Sequence, residues 1–321
     1  MAVYTTVSDA DLTAFLAQYN SGKLLSFSGI SEGIENSNYF VRTTAGQFIL
    51  TLFEKRVNPA ELPYFLDLMV HLHQKGIVCP LPVAGTDGKT LRDLCAKKAC
   101  LTTFLEGKSV RDISPDHCAE LGRAMARMHL AGIDYAGYRP NDLSVGGWEK
   151  LLAKIGRQAD VVENGLYDEI AETLDFLKNN FPSGLPRGVI HADLFPDNVF
   201  FTRDKLSGII DFYFACNDAL AYELAVCLNA WCFDPQTGRF FKDRAEKMFS
   251  AYQRIRALTA AEKEALPVLA QGSALRFLLT RTYDWLNRPE KALVTPKNPA
   301  EYIKKLRFHR RIKSFAAYGL M

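Results

Sequence analysis

The chain has no surplus of charge of either sign, since 39 lysines and arginines face 36 aspartates and glutamates. Nothing global therefore steers it toward nucleic acid or an anionic membrane surface. It also lacks a cysteine framework. The seven cysteines, Cys79, Cys95, Cys100, Cys118, Cys216, Cys227 and Cys232, are odd in number, form no C-x-x-C and sit mostly in apolar patterns. That usage is expected of buried thiols in a reducing, cytoplasmic compartment. No apolar run approaches the roughly 18 residues of a membrane helix. The opening "MAVYTTVSDADL" has no charged stretch leading into an apolar one, so no secretory signal is expected. Internal repeats and low-complexity tracts are missing too. What is present is 48% hydrophobic residues over 321 positions, enough for an ordered core and for two lobes.

Ser8-Asp9-Ala10-Asp11 reads as a helix start, a hydroxyl followed by a carboxylate three residues on, leading into Leu12, Phe15, Leu16 and Tyr19. From Leu24 to Phe53 the short aromatic and β-branched runs "LLSFSGI", "SNYFVRTT" and "QFILTLFE" predict an antiparallel meander of three strands. Asn58-Pro59 then opens an amphipathic helix through Leu62, Phe65, Leu66, Met69 and Leu72 to Gly76. "TDGK" is expected to close a hairpin between Pro82-Val83 and Thr90-Leu91. After Gly107 strands nearly vanish. Ser114-Pro115 starts a helix to about Leu130, and helical patterns cover roughly 148–156, 166–180, 219–231, 240–256, 262–287 and 299–313. The break near Leu105-Glu106-Gly107 predicts an α+β architecture: an antiparallel sheet lobe over 1–104 and a larger, mainly helical lobe over 105–321.

One strand-rich island interrupts the helical part: "GVIHADLFPDNVFFTRDKLSGIIDFYFA". It reads as a strand to Ile190, a tight loop from His191 to Asp197, a strand over Val199 to Phe201, a polar turn and a strand ending at Asp211. Hairpin closure would bring Asn198 and Asp211 toward the loop that carries Asp193. Phosphoryl transfer needs such oxygens, because divalent cations on the phosphates take hard ligands and a further carboxylate must orient the attacking hydroxyl. His191-Ala192-Asp193-Leu194 followed by Asn198 has the kinase catalytic-loop spacing H-x-D-L-x-x-x-N, and Asp211 stands where D-F-G has its metal aspartate. Composition alone would place an H-x-D-x-x-x-x-N string in a chain this long about 1% of the time. The bland alternative is a polar turn whose Asp and Asn satisfy backbone donors. His191 is expected to be structural, bonding backbone to fix the loop.

The island, with "GIENSNYFV", "LPYFLDLMVHLHQKGIVCPLPV", "TTFLEG" and "ALRFLLTRTYDWL", resembles the aminoglycoside phosphotransferase and choline kinase group of protein-kinase-like enzymes, and within it the bacterial homoserine kinases. The resemblance runs over nearly the whole chain and implies a two-lobed protein-kinase-like fold whose first lobe binds nucleotide. It implies Asp193 as catalytic base and Asn198 and Asp211 as magnesium ligands. Thr102 to Leu105 would be the hinge against adenine, with Thr103, Phe104 and Leu105 in contact. Gly29 to Asn38 would be the loop over the phosphates, including Gly33 and Asn36. Two departures stand out. The loop has only Gly29 and Gly33 before Asn36, and Thr51 stands where many relatives have a phosphate-pairing lysine, leaving Lys55, Arg42 or metal to neutralise charge. Glu61 would partner such a lysine, or else cap the helix after Asn58.

The acceptor is expected to be small, because only "FYFACN" separates Asp211 from Asp218 and leaves little room for a peptide platform. The resemblance implies an ATP- and magnesium-dependent kinase that converts the hydroxyl of L-homoserine to O-phospho-L-homoserine on the route to threonine. Such an acceptor needs an anion for its ammonium and a cation for its carboxylate. Asp218, Glu223, Asp234, Arg276 and Arg281 are the polar residues in that region, with Asp234 and Arg281 expected at the acceptor and Glu223 expected to fix the catalytic loop. Two alternatives remain: another small alcohol such as an aminoglycoside, choline or a methylthio-sugar, or a non-catalytic nucleotide-binding scaffold. His71 and His73, two apart on a helix, make no metal pair. "KKLRFHRRIK" from Lys304 reads as a helix with one packed and one solvated face rather than a nucleic-acid patch.

Overall fold

The structure is a computed structural model that describes residues 4–30, 36–54, 58–288 and 296–320. The chain forms two compact units: Met1–Gly107 with Tyr135–Gly137 and Ser207–Tyr213, and Lys108–Asp134 with Tyr138–Leu206 and Phe214–Met321. In the first, Ser8 caps α1 (Asp9–Leu16) by accepting from the Asp11 N–H at 3.1 Å. The strands β1 (Leu24–Gly29), β2 (Ser37–Thr43), β3 (Gly46–Leu52), β4 (Leu91–Leu94) and β5 (Lys97–Thr103) form one antiparallel sheet in the order β1-β2-β3-β5-β4. Alternation along β2 buries Tyr39 and Val41, which join Leu12, Phe15 and Leu16 of α1 and Leu50, Leu52 and Leu101 in one core. α2 (Leu62–Gln74) follows Asn58, whose side chain accepts from the Ala60 N–H at 3.1 Å.

"TDGK" turns the chain, with the Gly85 N–H donating to Lys89 O at 2.9 Å, but it does not close the expected hairpin. Pro82 bridges Thr102 instead, and β4 pairs with β5. The tight connection there is Cys95-Ala96, both left-handed at φ 50° and 58°. A primed turn needs that backbone, and Asn-Gly is its usual signal; Cys-Ala carries none. The tract 207–213 also joins this unit. Ile209 N–H donates to Val78 O at 3.0 Å, and the Tyr213 ring packs edge-on against Phe53 and Phe65 at 5.1 and 5.8 Å.

The second unit is mainly helical: α3 (Pro115–Ala131), α4 (Val145–Ile155), α5 (Leu166–Asn180), α6 (Leu220–Trp231), α7 (Lys242–Gln253), α8 (Ala260–Leu286) and α9 (Ala300–Arg311). Its short strands are β6 (Arg187–Ile190), paired antiparallel with β9 (Cys216–Ala219), and β7 (Val199–Thr202), which leads through a left-handed Arg203-Asp204 turn into β8 (Lys205–Ile209), a strand whose residues from Ser207 on belong to the first unit. α3 carries a reciprocal cap, Ser114 Oγ accepting from the His117 N–H and His117 Nδ1 from the Ser114 N–H. α4 begins before the predicted 148 through Gly146-Gly147, poor helix formers; a Cβ on Gly147 would lie 1.9 Å from Asp142 O, so only glycine fits that turn. α8 buries Leu275, Leu278, Leu279 and Thr282, the stripe read from the sequence as core.

All seven cysteines are free thiols, six of them buried. No helix among the described residues is long and apolar enough to cross a membrane. The basic run of α9 is neutralised by α5 and its approach, Arg307 pairing with Glu163 and Glu169 and Arg310 with Glu172. Lys305 and His309 are buried with Ile303 and Leu306 on the packed face. His309 lies between the Tyr318 hydroxyl at 2.7 Å and Asn229 Oδ1 at 3.0 Å. Asn229 Nδ2 already donates to Ala225 O and Ala270 O, so its oxygen faces the ring and His309 Nε2 donates to it.

Burial, with the Lys305 charge nearby, pushes the His309 pKa from 6.5 down to about 3. The unfolded chain therefore takes up a proton near pH 6.5 that the folded one refuses until about pH 3. The stability this confers is complete above the upper value and is lost as pH falls toward the lower, at about 1.4 kcal/mol per pH unit. Urea unfolding of His309→Gln against the parent across that window is expected to show a shallower acid slope in the variant; equal slopes would contradict the assignment.

Candidate active site

The loop after β6 is built around a backbone conformation that its own residue disfavours. Ala192 sits at φ 62°, left-handed, where an L-residue with a Cβ is strained. The strain is held from both sides. Glu223, fully buried in the first turn of α6, accepts the N–H groups of His191 and Ala192 on its two carboxylate oxygens, the second at 2.9 Å. Arg276 of α8 donates from Nη1 to Ala192 O at 2.6 Å. His191 is buried, and its Nδ1 accepts from the Asp193 N–H at 3.3 Å, which assigns the neutral ring its proton on Nε2.

The next residue is Asp193. Its main-chain carbonyl accepts from the Phe195 N–H at 2.8 Å and from Asn198 Nδ2 at 2.8 Å, and its Oδ2 accepts from the same Nδ2 at 3.1 Å. Both Asn198 amide hydrogens are therefore directed at Asp193, and the Asn198 carbonyl oxygen is turned away from that carboxylate. An amide oxygen so presented is a hard donor of the kind a magnesium ion takes. Asp193 and Asn198 are half-buried, whereas Leu194 and Phe195 between them are buried. Leu194 O accepts from Trp231 Nε1 at 2.7 Å, and Phe195 packs edge-on against Phe277 at 4.8 Å, so α6 and α8 fix the apolar half of the loop.

The structure thus brings His191, Asp193, Asn198 and Glu223 into one hydrogen-bonded set. Asp211 belongs to the N-terminal unit, exposed and left-handed at φ 65°. In that same unit Asn36 is buried and its Oδ1 accepts from the Glu54 N–H at 3.3 Å. Thr103 Oγ1 accepts from the Leu81 N–H at 2.9 Å, Phe104 packs edge-on against Phe40 at 5.3 Å, and Leu105 covers Gly208, where a Cβ would come within 2.7 Å of Leu105 Cδ1. Thr51 is buried on β3 and donates to Asn38 Oδ1 at 2.8 Å, a structural bond with no charge to offer a phosphate. Gly33 and Lys55 lie outside the described residues.

Both residues expected at the acceptor are spent elsewhere. Arg281 is buried, donates to Glu301 Oε2 at 2.5 Å and to Asn298 O at 3.4 Å, and lies over the Tyr302 ring at 4.4 Å, so its charge is already answered. Asp234 folds its own turn, Oδ1 accepting from the N–H groups of Thr237 and Gln236 and from the Thr237 hydroxyl; the Thr237 bonds hold its carboxyl below the ordinary carboxylate range. Asp218 is likewise engaged, by Asn141 Nδ2 at 2.8 Å and Arg187 Nη1 at 3.2 Å. Two residues not singled out for the loop touch it: Arg276, and Lys297, whose Nζ pairs with Asp197 at 2.9 Å and lies over the Phe195 ring. The available cue for Arg276 was a charge inside the apolar run "ALRFLL".

Chemically, the loop offers a carboxylate in a fixed place, neighboured by an amide oxygen suited to a cation. Replacing Glu223 by Ala would leave two buried N–H groups unpaired at a strained residue. The expected cost is about 3 kcal/mol of stability, read as a lowered denaturation midpoint; an unchanged midpoint would show that the two bonds carry no load.

The model of the phosphotransferase enzyme family matches residues 26–258. The homoserine kinase of Xanthobacter autotrophicus is 57% identical over 320 residues, covering 100% of this chain and 99% of its own. That of Rhizobium johnstonii is 56% identical with the same coverage, and that of Paramagnetospirillum magneticum 52% identical over 326 residues with both chains covered in full. Among solved structures, an amicoumacin kinase in complex with AMP-PNP and Ca2+ superposes with a TM-score of 0.68 at 16% identity, covering 96% of this chain and 93% of its own. A spectinomycin phosphotransferase in complex with ADP and spectinomycin gives 0.66 at 13% identity and 98% of each chain. A microcompartment-associated aminopropanol kinase gives 0.65 at 18% identity, covering 98% of this chain and 99% of that one. At such identities these structures show a shared fold.

Proposed function

The chain belongs to the phosphotransferase enzyme family and, within it, to the homoserine kinases, and from that premise we propose that it moves the γ-phosphoryl group of ATP to the hydroxyl of L-homoserine, a step of threonine biosynthesis. The observation that carries the reaction is the Asp193 carboxylate, fixed on a pinned loop and bonded by the Asn198 amide. The identity of the acceptor is supported by the full-length relatives.

Asp193 is the group that accepts a hydrogen bond from the acceptor hydroxyl, aligns its oxygen for attack and takes its proton as the new P–O bond forms. No covalent enzyme intermediate is required; catalysis is positioning and charge neutralisation. Asn198 and Asp211 are the residues we assign to magnesium, their amide and carboxylate oxygens being the hard donors it takes. Magnesium, when bound, supplies positive charge against the nucleotide phosphates. Asn36 and the Thr103–Leu105 segment are assigned to the nucleotide, and the free thiols fit a cytoplasmic enzyme.

Coupled ADP release from the full-length protein, with homoserine, choline, an aminoglycoside and methylthioribose as acceptors, tests the acceptor. Turnover is expected with homoserine well above the others; a better rate with any other alcohol would overturn that assignment. Asp193→Asn is expected to lower kcat by about 10²–10⁴-fold, the range of general-base catalysis, with ATP affinity unchanged. Near-parent turnover would remove Asp193 from the role.

A further inference from the structure

α8 carries a buried cation that no acid among the described residues pairs with. Arg276 is 2% exposed. The other buried cations among the described residues of this unit, Arg281 and Lys305, share Glu301, and the half-buried Arg256 has Glu262. Arg276 forms no ion pair with any described residue. Its guanidinium lies between aromatic rings, 4.6 Å from the Phe277 centroid and 5.9 Å from that of Phe214. One N–H goes to Ala192 O at 2.6 Å, and Nε is buried without a hydrogen-bond partner.

Two further buried groups belong to this place: Ser273 Oγ, which has no hydrogen-bond partner, and the Tyr222 hydroxyl, whose one side-chain neighbour of that kind is Arg276 itself. Ser273 is three residues before Arg276 on the same helix, so the two side chains share a face. Arg276 lies within hydrogen-bonding reach of the Tyr222 hydroxyl; burial raises that group's pKa, and the guanidinium acts against the rise. Buried polar atoms in folded proteins are nearly always satisfied, so a guanidinium nitrogen and a hydroxyl left without partners beside a second hydroxyl call for an explanation.

A carbonyl needs only a neutral donor, and a glutamine would serve Ala192 O without the cost of burying a charge. A guanidinium offers more: a planar fork that takes a carboxylate through two parallel hydrogen bonds. Its location fits the reaction as well. The bond to Ala192 O puts it one residue from Asp193, and homoserine spans about 5 Å from hydroxyl oxygen to carboxyl carbon by ordinary bond lengths.

We propose that Arg276, with the hydroxyls of Tyr222 and Ser273, binds the carboxylate of the amino-acid acceptor and thereby selects homoserine over alcohols that lack one. The proposal rests on the reaction assigned above. It makes Arg276 a specificity determinant, while Arg281, the arginine favoured from sequence, is retained by Glu301.

The test is steady-state kinetics of the full chain with homoserine and with 3-aminopropan-1-ol, which is homoserine without its carboxylate. Arg276→Gln removes the charge and keeps a donor for Ala192 O. It is expected to raise KM for homoserine about 100-fold, the size of effect that follows loss of a charged hydrogen-bonding partner, with KM for ATP unchanged and the preference for homoserine over 3-aminopropan-1-ol, the ratio of their kcat/KM values, lowered by a similar factor. A homoserine KM near the parent value would overturn the proposal. So would equal losses with both acceptors, or a fall in kcat at unchanged KM where 3-aminopropan-1-ol is not turned over; either would show that Arg276 serves the loop alone. Should Arg276→Gln fail to fold, Tyr222→Phe removes the hydroxyl beside the guanidinium and leaves the bond from Arg276 to Ala192 O in place; a rise of about fivefold in homoserine KM is expected, and no rise would overturn the proposal. A parent enzyme inactive on homoserine but active on another alcohol would instead refute the reaction assignment.

Discussion

The two oxygens of the Glu223 carboxylate, each accepting one of two consecutive backbone N–H groups, are the constraint on which the site depends. A left-handed alanine costs on the order of 1–2 kcal/mol, and no local signal in His191-Ala192-Asp193 favours it. The conformation persists because helix packing imposes it. α6 is buried along nearly its whole length, so Glu223 cannot move, and the 27-residue α8 delivers Arg276 to the carbonyl on the other side. The direction of Asp193 follows from this clamp. With Ala192 turned left-handed, the chain reverses tightly enough for Asn198 to reach both the carbonyl and the carboxylate of Asp193.

Behind Glu223 a line of polar side chains runs through the packed helices. Arg256 has only donors, so its bond of 3.1 Å to Tyr252 makes that hydroxyl oxygen an acceptor. The Tyr252 hydrogen must then go to His129 Nδ1 at 2.8 Å, leaving the proton of a neutral His129 on Nε2, which faces Glu223 at 3.9 Å. Burial pushes the His129 pKa down and keeps the ring neutral, although the Glu223 carboxylate pulls the other way. Arg256 is held in turn by Glu262, the residue that closes the cap of α8 on Thr259. The loop bearing Asp193 is thereby linked by polar contacts to α3, α7 and the start of α8.

Sequence periodicity and caps exposed most of the scaffold: the Ser8, Asn58 and Ser114 starts, the three-strand meander, and α5 over the residues expected of it. What stayed hidden was set by distant partners. Cys95-Ala96 takes a left-handed turn without a turn residue, because pairing of β4 with β5 dictates it. Residues 207–213 leave the helical part because Ile209 finds Val78 and Tyr213 finds Phe53 and Phe65, contacts more than a hundred positions away. At the site, the spacing from His191 to Asn198 was legible as a loop that gathers polar side chains, and a glutamate early in α6 was legible as its anchor. The pairing of Arg281 with Glu301 was not. Helical spacing says which face an arginine occupies but not whether an acid twenty residues on, here Glu301, has already claimed it.

Buried bonding, not loop sequence, holds the Asp193 loop in its conformation. Amide hydrogen exchange at His191 and Ala192 in the ligand-free protein tests it most directly. If Glu223 locks these two N–H groups, they exchange only through global unfolding, as slowly as the best-protected amides of α6 and α8. Exchange at the rate of an exposed loop would show that the clamp opens freely, and the account of the site would fail.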